Sequence, residues 1–150
     1  PTRVRAAVPW RPGARERLAG LRAAGVPTAL VTMSYRSLAQ EVVQLLPGAF
    51  DVLVPGDEVA RGKPAPDPYL RAAELLGVDP RECVALEDSA TGVRSAEAAG
   101  CRTVAVPHLV PVPAAPGRSR VRSLADVDLA VLARLRAGEV VDLLGAGELP

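Results

Sequence analysis

Three short stretches hold residues that could act on a charged group. VTMS (31–34) puts two hydroxyls, Thr32 and Ser34, at the end of an apolar run. RGKPAP (61–66) sets Lys63 between a glycine and a proline. VALEDS (84–89) runs three apolar residues into two adjacent carboxylates, Glu87 and Asp88, and then a serine. Each has an ordinary structural use. Ser and Thr are preferred helix caps, and so is Asp; a lysine in a turn is commonly solvated. Taken together they do more. Hydroxyls and backbone N–H groups at a strand-to-helix turn form an anion site. A lysine stiffened by Pro64 and Pro66 presents a fixed cation. Paired carboxylates are hard-oxygen donors of the kind Mg²⁺ takes, along with water and a substrate phosphate. Two carboxylates about 4 Å apart repel by about 4 kcal/mol at an effective dielectric of 20. A cation would cancel that repulsion; otherwise the side chains should point apart. Converging on one rim, these groups would neutralise and orient a phosphoryl group. The lysine stretch is not a P-loop, because Pro64 stands where Ser or Thr would bind the metal.

The elements that must position them alternate. Residues 12–24 read as a helix ended by Gly25, 28–33 as a strand, 35–46 as a helix ended by Pro47-Gly48, and 51–56 as a second strand. Prolines forbid regular structure at 62–67. A helix then runs from an Asp67 cap, with Pro68 as its first residue, to Leu76. A strand over 83–88, a helix to Gly100 and a strand over 102–107 follow. Residues 107–120 are Pro-rich and read as irregular, with His108 at the surface. A last helical pattern covers 123–136, and a tail from 137 to 150 is weakly specified. Alternation of this kind predicts an α/β fold, a parallel sheet covered by helices on both faces. In such sheets the ligand site lies at the carboxyl ends of the strands, where all three stretches fall.

Composition narrows the class of function. The 150 residues carry a net charge of +1, are 49% hydrophobic and only 3% aromatic, and hold 2 cysteines and 1 histidine. The length suits one domain. Dispersed basic residues and scarce aromatics argue against nucleic acid. No apolar run approaches the roughly 20 residues of a membrane span. Cys83 and Cys101 cannot complete a Cys/His zinc site and read as buried free thiols. With no signal-peptide pattern, a cytoplasmic location is expected.

The order VTMS, GKPAPDPYL, ALEDSATGVRSAEAAG resembles the haloacid dehalogenase superfamily, in its beta-phosphoglucomutase-like and phosphoglycolate-phosphatase-like branch. RPGARERLAGLRAAGVPTALVT resembles the segment by which that branch re-enters its core from a cap domain. The likeness covers roughly residues 8–107. It implies a three-layer Rossmann-like core spanning residues 1–136 and a Mg²⁺-dependent phosphatase of a small phosphorylated metabolite. It also implies roles by position: Thr32, the Met33 N–H and Ser34 on the phosphoryl group, Lys63 pairing with phosphate and the catalytic carboxylate, Asp88 with Glu87 on Mg²⁺.

One part of the family pattern is not found. Members transfer the phosphoryl group to an aspartate in a DxDGT-like motif on the first core strand, and no such motif occurs here. Asp126 and Asp128 read DVD, but they follow the other motifs instead of preceding them. The chain also opens PTRV, without an initiator methionine. The expectation is therefore a fragment lacking the first core strand and the helical cap, inactive alone, with a gap in its sheet. A phosphomutase on the same scaffold, and a non-catalytic phosphate-binding or partner subunit without a nucleophile, are the alternatives. Substrate identity and oligomeric state stay open.

Overall fold

The structure is a computed structural model that describes residues 13–145. Helix α1 (Ala14–Ala23) leads through Gly25 to strand β1 (Ala29–Val31). Helix α2 (Arg36–Gln44), strand β2 (Val52–Val54) and a 3-10 turn at Gly56–Glu58 follow. Helix α3 (Asp67–Leu76) ends on Gly77, whose φ of 70° is the left-handed conformation that suits a glycine at a helix end. Strand β3 (Val84–Glu87), helix α4 (Ala90–Ala98) and strand β4 (Arg102–Ala105) form a β-α-β unit. Strand β5 (Ser119–Arg120), a 3-10 turn at Leu124–Asp126 and helix α5 (Leu129–Arg136) complete the chain.

Among the described residues all strand pairings are parallel, in two separate groups. β1 pairs with β2, Val31 opposite Val54. β3, β4 and β5 pair in that order, with Val84 opposite Arg102 and Glu87 opposite Ala105. Among the described residues no strand pairs with both β1 and β3, so the sheet is divided between them, where the resemblance implies a gap.

Helices cover both faces. Ala85 of β3 packs with Tyr69 of α3 and Ala96 and Ala99 at α4. On the other face Val104, Val106, Val121, Val127 and Leu135 form a cluster that also takes Val84 and Val131. With few aromatics, tight layers are reached by Ala and Val, whose small or branched side chains let sheet and helix approach.

Several boundaries differ from the sequence reading. Asp67 is not the cap of α3 but its first residue; Pro66 holds the cap position and no side chain caps the helix. Asp67 pairs with Arg61 at 3.0 Å instead. The pattern at 123–136 is not one helix. Ser123 and Asp126 make a reciprocal capping box around the 3-10 turn, and Asp128 caps α5 by accepting from Val131 N at 2.8 Å. Both aspartates of the DVD triplet are thus consumed in capping. The Pro-rich segment ends in β5, which the sequence reading missed because two residues show no periodicity.

The start of the tail that the sequence specifies only weakly is strapped down at Asp142 and Leu144. Arg120, 2% exposed, donates to both carboxylate oxygens of Asp142 and to the carbonyls of Val112 and Leu144. A buried guanidinium needs that many acceptors to offset its lost hydration.

Candidate active site

At the carboxyl end of β1 the chain makes a tight turn. Thr32 Oγ1 accepts from Ser34 N at 3.1 Å, and Gly56 N donates to Ser34 O at 2.9 Å. The Met33 N–H makes no hydrogen bond among the described residues. Gly56 is required here: a Cβ on it would lie 2.3 Å from Met33 O. Helix α2 begins at Arg36, not at a Ser34 cap. Its first N–H is capped from outside, by Asp57 Oδ1 at 3.0 Å.

The loop after β2 delivers Lys63. Its backbone N–H donates to Met33 Sδ at 3.3 Å, and the Lys63–Pro64 bond is cis. Ser95 of α4, fully buried, donates to Ala65 O at 2.6 Å and ties this loop to the helix. Lys63 Nζ donates to Val31 O at 3.2 Å and to Glu87 Oε1. It also lies 5.5 Å from the centroid of the Tyr69 ring, within reach of a cation–π attraction.

The carboxylates at the end of β3 part company. Glu87 is buried, and its Oε1 accepts from both Lys63 Nζ and Tyr69 OH. Burial, then the Glu87 charge, raises the Tyr69 phenol far above its ordinary range, so it remains a donor. The other oxygen, Oε2, sits against Gly92, where a Cβ would come within 2.0 Å. Asp88 is exposed. Ser89 caps α4, accepting from Gly92 N at 3.1 Å.

Here the structure differs from the sequence reading. Glu87 and Asp88 do not present a joint donor set. Alternation along the strand end turns them apart, and the cation that answers Glu87 is the Lys63 ammonium. Among the described residues no three His, Cys, Asp or Glu side chains gather as a metal site. The donors present fit Mg²⁺ in part: Asp88 is an exposed hard-oxygen ligand on the rim, and Mg²⁺ commonly takes one or two carboxylates plus phosphate and water. Glu87 is otherwise engaged.

Thr32, Met33, Ser34 and Lys63 do come together, linked through Val31 O and Met33 Sδ. Three residues of the cluster escaped the sequence reading in this role. Tyr69, Gly92 and Ser95 stood only as members of the GKPAPDPYL and ALEDSATGVRSAEAAG stretches, with no role of their own. A glycine inside a helix costs stability relative to alanine, and at Gly92 the close approach of Glu87 accounts for it.

Residues 3–100 match the haloacid dehalogenase-like hydrolase family. The chain belongs to the haloacid dehalogenase-like hydrolases. Among curated relatives, hexitol phosphatase B of Escherichia coli K12 is 38% identical over 139 residues, 91% of this chain and 59% of that protein. Among solved structures, CbbY from Rhodobacter sphaeroides in complex with phosphate superposes with a TM-score of 0.74 at 33% identity, covering 82% of this chain and 58% of that one. A Thermotoga maritima protein provisionally named a beta-phosphoglucomutase gives 0.69 at 33% identity, covering 82% and 59%. The chain spans from 27% to 59% of the length of the curated relatives it matches. The α/β fold expected from the alternation of elements, and the Rossmann-like haloacid dehalogenase core that the resemblance implies, are what these neighbours share.

Proposed function

We propose that this chain supplies the phosphoryl-binding rim of a Mg²⁺-dependent phosphatase acting on a small phosphorylated metabolite in the cytoplasm. The observation that carries this reading is the placement of Lys63. Its ammonium is held at the carboxyl ends of β1 and β3, beside the Thr32–Ser34 turn. In this reading the Thr32 hydroxyl and the Met33 N–H donate to phosphoryl oxygens, and Lys63 offsets their charge. Glu87 positions Lys63 and does not touch substrate. Asp88 would hold Mg²⁺, which when bound neutralises charge developing on the transferring group.

The reading assigns no nucleophile to this chain. Asp126 and Asp128 are spent as caps, and an aspartate reaching the rim between β1 and β3 has to be supplied by the segment that fills the division of the sheet. We therefore propose that residues 1–150 alone are inactive. The likeness to phosphatase-named relatives supports hydrolysis; the likeness to the Thermotoga protein favours, as a second reading, a phosphomutase.

The test is release of inorganic phosphate from a panel of small phosphate esters by the full-length gene product, with and without Mg²⁺. Loss of activity in Asp88→Asn and Lys63→Ala is expected. Full activity in both variants overturns the assignment. Conversion of a sugar 1-phosphate to its 6-phosphate without net phosphate release moves the mutase to first place.

A further inference from the structure

Cys83 and Cys101 stand next to each other, at the end of the sheet away from Glu87 and Asp88. Val84 pairs with Arg102, so the residues just before them, Cys83 and Cys101, are the next pair in register. The ladder reaches them: Arg102 N donates to Cys83 O at 2.9 Å. They also share a face. Along β3, Ala85 and Glu87 face Tyr69, and stepping back by two reaches Cys83. Along β4, Ala105 faces Val93 of α4, and Cys101 packs against the cluster of Tyr69, Ala85, Ala96 and Ala99. Val84 and Val104 occupy the opposite face.

Paired strands run about 4.8 Å apart, inside the window of about 4.4–6.8 Å that a disulfide needs between Cα atoms. Both thiols are free and half-buried. Each cysteine enters its strand from a turn, Cys83 after the 3-10 turn at Pro80–Glu82 and Cys101 after Gly100 at φ 92°. The backbone can therefore adjust on one side without breaking a longer ladder. The Cys83 thiol now donates to Asp79 O at 3.5 Å, a weak bond to surrender.

We propose that Cys83 and Cys101 form a dithiol modification site that closes to an intramolecular disulfide by exchange with a small disulfide oxidant such as glutathione disulfide. The Cys83 thiolate attacks one sulfur of the oxidant, breaking its S–S bond and releasing one glutathione thiolate. The Cys101 thiolate then attacks the Cys83 sulfur and releases the second. The two cysteine sulfurs are oxidised, the two glutathione sulfurs are reduced, and the protons lost from the protein end on glutathione. Burial pushes the Cys101 thiol up to about 12 and raises Cys83 as well, so exchange is slow at neutral pH. The product staples β3 to β4 away from the phosphoryl rim. The proposal stands independently of the proposed activity.

The experiment equilibrates the full-length gene product in glutathione redox buffers, in native buffer and in concentrated guanidinium chloride, and quantifies the Cys83–Cys101 disulfide by intact mass and non-reducing peptide mapping. The effective concentration of one thiol at the other should be higher in native buffer by on the order of tenfold or more. By the thermodynamic cycle the oxidised chain then melts at a higher temperature than the reduced one, and Cys83→Ser abolishes that difference. An effective concentration in native buffer equal to or below that in denaturant overturns the proposal. So do glutathione adducts or intermolecular dimers formed in place of the internal disulfide.

Discussion

Lys63 and Glu87 form an ion pair across the division of the sheet. The lysine comes from the loop after β2, the carboxylate from the end of β3, and the same ammonium also holds the last carbonyl of β1. The two side chains are 11% and 8% exposed, so neither charge is well hydrated. Removing one partner of a buried pair costs roughly 3–5 kcal/mol, because the other is left uncompensated. Lys63→Met and Glu87→Gln should each lower unfolding stability in urea by about that much. The double variant should lose less than the two single losses added. Strict additivity in a double-mutant cycle would show that the pair is not coupled.

Two glycines offer a matched comparison. At Gly20 in α1 an added Cβ would meet nothing within 4 Å, whereas at Gly92 in α4 that atom would meet Glu87 Oε2 at 2.0 Å. Alanine is intrinsically better than glycine in both helices, by about 0.5–1 kcal/mol. Gly20→Ala should stabilise by that amount. Gly92→Ala should destabilise by about 1–3 kcal/mol, as overpacking does, and should weaken inorganic phosphate binding through the displaced Lys63. Opposite signs in thermal melts are the expected outcome; a stabilised Gly92→Ala contradicts the close approach.

Arg120 and Asp142 supply a pH-dependent clasp. The Arg120 guanidinium, then a backbone N–H from Leu144, holds the Asp142 carboxyl below its usual range. A lowered folded pKa means the stabilisation is fully present above about pH 4, the ordinary carboxylate value, and is lost as pH falls through the lowered one. Asp142→Ala should cost roughly 3 kcal/mol, the low end for a broken buried pair, because Asp142 itself is 34% exposed. It should also flatten the acid side of the stability profile. An unchanged profile would remove the clasp from the account.

The division of the sheet should show in solution. β1 and β3 each present an edge unpaired among the described residues, and Leu86 beside it is 37% exposed. Such edges template association with other chains. Concentration-dependent aggregation on heating is expected for the 150-residue chain, reduced by adding the segment that completes the sheet. A sharp, concentration-independent two-state melt would count against it.

Much of this was legible in the residues themselves. The alternation of helix and strand, the Gly25 stop, a helix cap at Asp88 or Ser89 and the grouping of VTMS, GKPAP and EDS at one end of the sheet follow from periodicity, backbone propensity and the rule that such sheets bind at their carboxyl ends. These are local properties, set by a residue and its near neighbours. Which charge answers which is not local. Glu87 and Asp88 are adjacent in sequence, yet one is buried against Lys63, 24 positions away, and the other faces out. Asp67, Asp126 and Asp128 likewise found partners that spacing did not single out. Only the packing of α3 and α4 against β3 decides that Tyr69, Ser95 and Gly92 shape the lysine's surroundings. A buried polar group must be satisfied by whatever the fold brings near, and sequence distance says little about what that will be.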